Sequence, residues 1–117
     1  MKNRLRQDLF DNRITSIIGD HIYFLHKDKS IKTNTYIEYE IIRKTYDDYA
    51  GNDNISENYI IQVDIFSKSN YSELENIIEA VLKEKGYKYS TGADMYEEDT
   101  CLFHCAMRYN YKLKNGR

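Results

Sequence analysis

Cys101, His104 and Cys105 fall within five residues of one another in CLFHC, and the carboxylates Asp94, Glu97, Glu98 and Asp99 lie just before them. Thiolate, imidazole and carboxylate are the ligands of zinc and related ions, so a metal centre is the first chemistry to weigh. The spacing argues against it. Residues 101–111 alternate as a strand does, which sends His104 to the face opposite both cysteines. Four strand steps hold the two cysteines about 13 Å apart at ~3.3 Å per residue. Neither a shared ion nor a disulfide, which needs Cα atoms within about 7 Å, spans that gap. Free buried thiols are the expectation. His21 and His26, five apart on another predicted strand, also point to opposite faces. The acidic run has neither the alternating oxygens nor the central glycine of a calcium loop. It reads as a solvated turn, or as a patch that meets a basic surface on a neighbour.

Nucleophilic and phosphate chemistry find no better footing. No serine stands in a Gly-x-Ser-x-Gly turn, and the 5 glycines are scattered singly, so no phosphate-cradling loop forms. We expect no catalytic residue, no cofactor and no metal site, and hence no enzyme. With a net charge of −2, the chain also lacks the basic excess of a general nucleic-acid or anionic-membrane binder. No apolar run reaches membrane-span length, and the N-terminus leads into polar sequence rather than a signal-peptide core, so a soluble intracellular product is expected. The 12 tyrosines offer apolar bodies with polar tips, suited both to strands and to wet interfaces.

The elements that carry these residues are readable from periodicity. Residues 59–66 form a β-branched and aromatic run broken only by Gln62 and Asp64, predicting a strand over about 58–67. Tyr71, Leu74, Ile77, Ile78, Val81 and Leu82 then recur at helical spacing. A helix over 71–85 follows, with Asn70 and Glu73 as a capping box and Gly86 as its stop. Leu5, Leu9, Phe10 and Ile14 predict a first helix over about 2–12, stopped by Gly19. Strands are predicted at about 21–26, 35–45, 87–90 and 101–111. In the second of these, Ile37, Tyr39, Ile41 and Arg43 form the core-facing set. The acidic segment from Asp47 to Asn58 reads as a long hairpin tip, and TGADMYEEDT as a connection.

At 117 residues the chain suits one domain. The expected fold is α+β: a two-layer sandwich with an antiparallel-dominated sheet of four or five strands and two helices on one face. Its other face would carry Tyr36, Ile42, Ile60, Phe66 and Leu102, too apolar for open solvent and better finished by a neighbouring subunit.

The series QVDIFSK followed by YSEL, and DMYEEDT followed by HCAMRYNY, resembles the small tail-completion proteins of long-tailed bacteriophages, also described as tail-terminator or head-tail joining proteins. The similarity spans His21 to Tyr111. It implies a virion structural protein that forms a ring, of six subunits, closing the head-proximal end of the tail and meeting the head connector. Self, the tail-tube protein and the head connector protein would be its partners. DNA would pass through the lumen without specific binding, and no membrane would be involved. The protein would reside in the virion, and in the host cytoplasm during assembly. On this reading Asp47, Asp48, Tyr49, Asp53 and Glu57 form a lumen or docking loop, acidic so as not to hold phosphate. Tyr36, Ile60, Phe66, Asp94, Tyr96, Glu97, Glu98 and Arg108 mark the subunit interface. Two other readings stay open: a monomeric adaptor or inhibitor using its sheet face against a protein partner, and a small hydrolase built on the carboxylates near Asp94.

Overall fold

In the computed structural model, residues 1–48 and 55–114 are described. They form α1 (Lys2–Leu9), α2 (Asn12–Ile18), β1 (Ile22–Phe24), β2 (Thr35–Asp48), β3 (Ile55–Ser67), α3 (Ser72–Glu84), β4 (Lys88–Glu97) and β5 (Leu102–Lys114). The sheet runs β1-β2-β3-β5-β4. Three of its pairings are antiparallel, and β1 runs parallel to β2. The fold is α+β with a mixed sheet.

The three helices share one core with one face of the sheet. Leu5 and Leu9 from α1, Ile14 and Ile18 from α2, and Leu74, Ile78, Val81 and Leu82 from α3 pack on Ile37, Tyr39, Ile61, Val63, Ile65, Cys105, Met107 and Tyr109. These strand residues are alternate positions, as the pleat requires. Tyr87, buried after α3, donates its hydroxyl to Asp8 of α1 at 2.7 Å and ties the first helix to the end of the third.

Helix ends explain two departures from the sequence reading. The expected single helix over 2–12 is two helices, because Asp11 opens a new one by accepting from the Arg13 amide at 2.9 Å. For α3, Tyr71 holds the N-cap position, and the Asn70 side chain accepts from the Ser72 amide at 2.8 Å instead of boxing with Glu73. Its other end follows expectation. Gly86 at φ 98 lets Tyr87 donate to Leu82 and Gly86 donate to Lys83, the paired closure of a Schellman motif.

Two strands are longer than expected. The connection TGADMYE is part of β4, paired with β5 from Lys88 to Glu97, so the short strand over 87–90 extends to Glu97. A bulge between Tyr89 and Thr91 lets the Tyr89 side chain cross Gly92, where a Cβ would collide with its hydroxyl. The hairpin tip is also shorter than read. Asp47 and Asp48 pair with Ser56 and Ile55, leaving 49–54 outside the described residues. The last rungs of β2, β3 and β5 therefore project beyond the helices as an arm, and the molecule measures 53 × 28 × 25 Å.

Candidate functional site

Because β1 and β2 are parallel neighbours, the chain must cross between them, and residues 25–34 make that crossing without a helix. This segment and Tyr23 cover the sheet face that the helices leave bare. Beneath them Tyr36, Phe66 and Leu102 form a second small core, only 8–9% exposed. An aromatic row crosses four strands here. Tyr23 meets Tyr36 edge-on at 6.3 Å, Tyr36 stacks on Phe66 at 4.9 Å, and Phe66 stacks on His104 at 4.1 Å. The expectation of an uncovered apolar face is thus corrected: Tyr36 and Phe66, read as interface residues, are sealed within the chain. Ile60 remains half-buried and Ile42 exposed.

The next rungs of this face are polar and mutually satisfied. His104 lies between Asp64, 2.8 Å from Nε2, and Glu97, 3.1 Å from Nδ1. Burial works against a charged imidazole, but the hydrogen bonds and charges of both carboxylates outweigh it, so the His104 pKa is raised. Gln62 donates to Asp64 at 2.9 Å and accepts from Arg108 at 2.8 Å, extending the chain of bonds. Glu38, buried nearby, accepts from the Lys27 amide at 2.8 Å and faces His26 at 3.3 Å. Burial, the leading cause, raises its pKa despite those partners.

On the helix-side face, one carboxylate oxygen each from Glu75 and Asp94 and the Cys105 sulfur lie within 4.8 Å of one another. Sequence spacing hid this cluster, because it draws one residue each from α3, β4 and β5. A divalent ion there would need the thiolate. With no ion bound, burial, followed by the two carboxylate charges, drives the Cys105 pKa far upward and favours the thiol. Asp94 is meanwhile held by the Tyr71 hydroxyl at 2.6 Å. Cys101, expected to be buried, is exposed in the β4–β5 turn at φ 59, and both cysteines are free.

The docking-loop residues are divided by the structure. Asp47 lies 3.6 Å from Lys112, and Glu57 lies 4.0 Å from Lys44 while accepting from the Tyr59 hydroxyl at 2.6 Å. These two acids belong to paired strands with cationic neighbours. Tyr49 and Asp53 lie outside the described residues, and Asp48 is described only as part of β2. Among the remaining interface candidates, Asp94, Tyr96, Glu98 and Arg108 are exposed and Glu97 is partly so. Asp94, Tyr96, Glu97 and Glu98 lie on β4 and its turn, at one edge of the sheet.

No family model and no curated protein matches this sequence. Among solved structures, the chain is similar to one described as part of the virion of a native gene transfer agent particle, with a TM-score of 0.65 and 10% sequence identity. The match covers 93% of this chain and 90% of that chain, so at this identity the two share a fold over nearly their whole length.

Proposed function

We propose that this chain is a structural subunit of a phage-like virion, acting by assembly and not by catalysis. The observation that carries the reading is the fold shared end to end with a chain of a virion particle. The side chains support it. The polar groups that could have formed a reactive centre are bonded to one another as structure: His104 with Asp64 and Glu97, and Asp94 with the Tyr71 hydroxyl.

Within that class, the role is tail completion. Six copies form a ring at the head-proximal end of the tail, between the tail-tube protein and the head connector protein. DNA passes through the lumen without specific binding, and Asp47 on β2 and Glu57 on β3 lie toward that lumen. The exposed Asp94, Tyr96, Glu98 and Arg108, with Ile60 and Glu97, serve the subunit contacts. The protein resides in the virion after assembly in the host cytoplasm. The sealed aromatic row removes the open apolar face that an adaptor, or a neighbouring subunit, would have used, so subunit contacts fall to the exposed residues.

Mass spectrometry and immunogold labelling of purified particles test this. The expected result is a fixed complement of about six copies per particle, labelled at the head-tail junction. Absence from purified particles overturns the reading.

A further inference from the structure

Where α3 meets the outer pair of strands, donors from three elements converge. Asp94 of β4 and Cys105 of β5 are direct cross-strand partners, so their side chains share the helix-side face. α3 sets Glu75 beside them. One carboxylate oxygen from each acid lies within 4.8 Å of the other and of the Cys105 sulfur.

Neither the thiol nor the acids are satisfied by the rest of the chain. Cys105 is only 2% exposed. Among the described residues, sulfur takes part in two hydrogen bonds of ordinary geometry, those of Cys101 and Met107, and the Cys105 sulfur in none. A polar atom withdrawn so far from water normally has a partner. The acids lack a cation as well. Among the described residues, no ion pair engages Glu75, Asp94 or Glu79, one turn further along α3. The charges bearing on Glu75 are those of Asp94 and Glu79, both of its own sign. Residues 69–82 and 89–107 contain no lysine or arginine that could come between them. Carboxylates this close repel one another unless a positive charge joins them.

The geometry suits a metal ion. Zinc holds thiolate at about 2.3 Å and carboxylate oxygen at about 2.0–2.2 Å, which places tetrahedral ligands about 3.5 Å from one another. Closing the three donors to that spacing takes about 1 Å of movement, supplied by rotation of the Glu75 and Asp94 side chains, neither of which is buried. The Tyr71 hydroxyl, donating to Oδ1 of Asp94 at 2.6 Å, steadies that carboxylate as the outer partner of a ligating acid does. A cleft of about 420 Å³, lined by Asn70, Tyr71, Glu75, Asp94 and Phe103, gives entry from solvent and room for a water.

We propose that Glu75, Asp94 and Cys105 bind one zinc ion, with water in the fourth position. One sulfur with two oxygens favours zinc over magnesium or calcium, which take oxygen ligands. On binding, the Cys105 S–H bond breaks, its proton leaves to solvent, and the freed electron pair forms the bond to the ion with no change of oxidation state. The ion's task is structural. β4 carries no buried side chain and pairs with β5 alone, so an ion shared by Asp94 and Glu75 fastens this strand to the helix layer. The inference concerns this chain by itself and does not depend on the virion reading.

Titration calorimetry with zinc chloride on the full chain, first stripped with a chelator, tests this. One ion per chain is expected, with a Kd of about 1 μM or tighter. Zinc at about a hundred times Kd should then raise the folding equilibrium constant about a hundredfold. Cobalt in place of zinc should give a thiolate-to-metal charge-transfer band in the ultraviolet. Glu75→Gln, Asp94→Asn and Cys105→Ser should each weaken zinc binding at least about tenfold, the scale of loss that removal of even an outer partner brings. Cys105→Ser should also abolish the cobalt band, and Cys101→Ser should change neither reading. The two acids are not buried, so their variants decide the matter if Cys105→Ser fails to fold. No binding at about 100 μM zinc, no cobalt band, or unchanged affinity in either acid variant overturns the proposal. So does loss of the band in Cys101→Ser, which would assign the ion to the β4–β5 turn.

Discussion

Nε2 of His104 lies 2.8 Å from Oδ1 of Asp64, on a sheet face where both side chains are largely withdrawn from water. With Glu97 at its other nitrogen and the Phe66 ring stacked on it, this imidazole joins β5 to both β3 and β4. It holds the acidic β4 edge to the rest of the sheet.

The pairing makes stability depend on pH in a defined sense. The His104 pKa is raised above its ordinary 6.5. The folded state then binds the proton more tightly than the unfolded state. The stability it contributes is complete below about pH 6.5 and is lost as pH rises through the raised folded value. Asp64 and Glu97 face the ring and favour its charge, and buried Glu38 interacts with it electrostatically. Thermal melting should therefore show a midpoint falling above about pH 6.5, and His104→Gln should flatten that slope. An equal slope in the variant contradicts the assignment.

Gly86 closes α3 at φ 98, and a Cβ there would meet only the Tyr111 ring at an ordinary 3.5 Å. The cost of Gly86→Ala is therefore one of backbone conformation, about 1–2 kcal/mol in urea unfolding. A loss near zero would mean that the helix end rearranges.

The two cysteines should differ sharply in reactivity. Cys101 is exposed in a turn, whereas Cys105 is buried and kept protonated beside Glu75 and Asp94. Alkylation of the native protein at neutral pH should add one label, at Cys101, by peptide mass spectrometry. Rapid double labelling would show that the Cys105 environment opens.

The sequence was most informative where one pattern carried one structural meaning. β3 and α3 were legible because their apolar residues repeat at the spacing of a single buried face, and Gly86 marked the end. The break between α1 and α2 was also written, in the five-residue step from Leu9 to Ile14 and in Asp11 as a cap. Only the start of β4, over 87–90, was legible, since a strand exposed on both faces has no alternation to read. The parallel pairing of β1 was hidden because the segment over 25–34 resembles a hairpin turn. That one crossing also explains why the apolar face proved covered: the loop that changes the topology also lies over Tyr36 and Leu102. The cluster of Glu75, Asp94 and Cys105 depended on three elements meeting, which no local spacing records.

The central claim is that this chain completes the tail and joins it to the head. Electron microscopy of particles produced without the protein tests it most directly. The account predicts DNA-filled heads separated from tails, with the tails absent or overlong. Normal joined particles would contradict it.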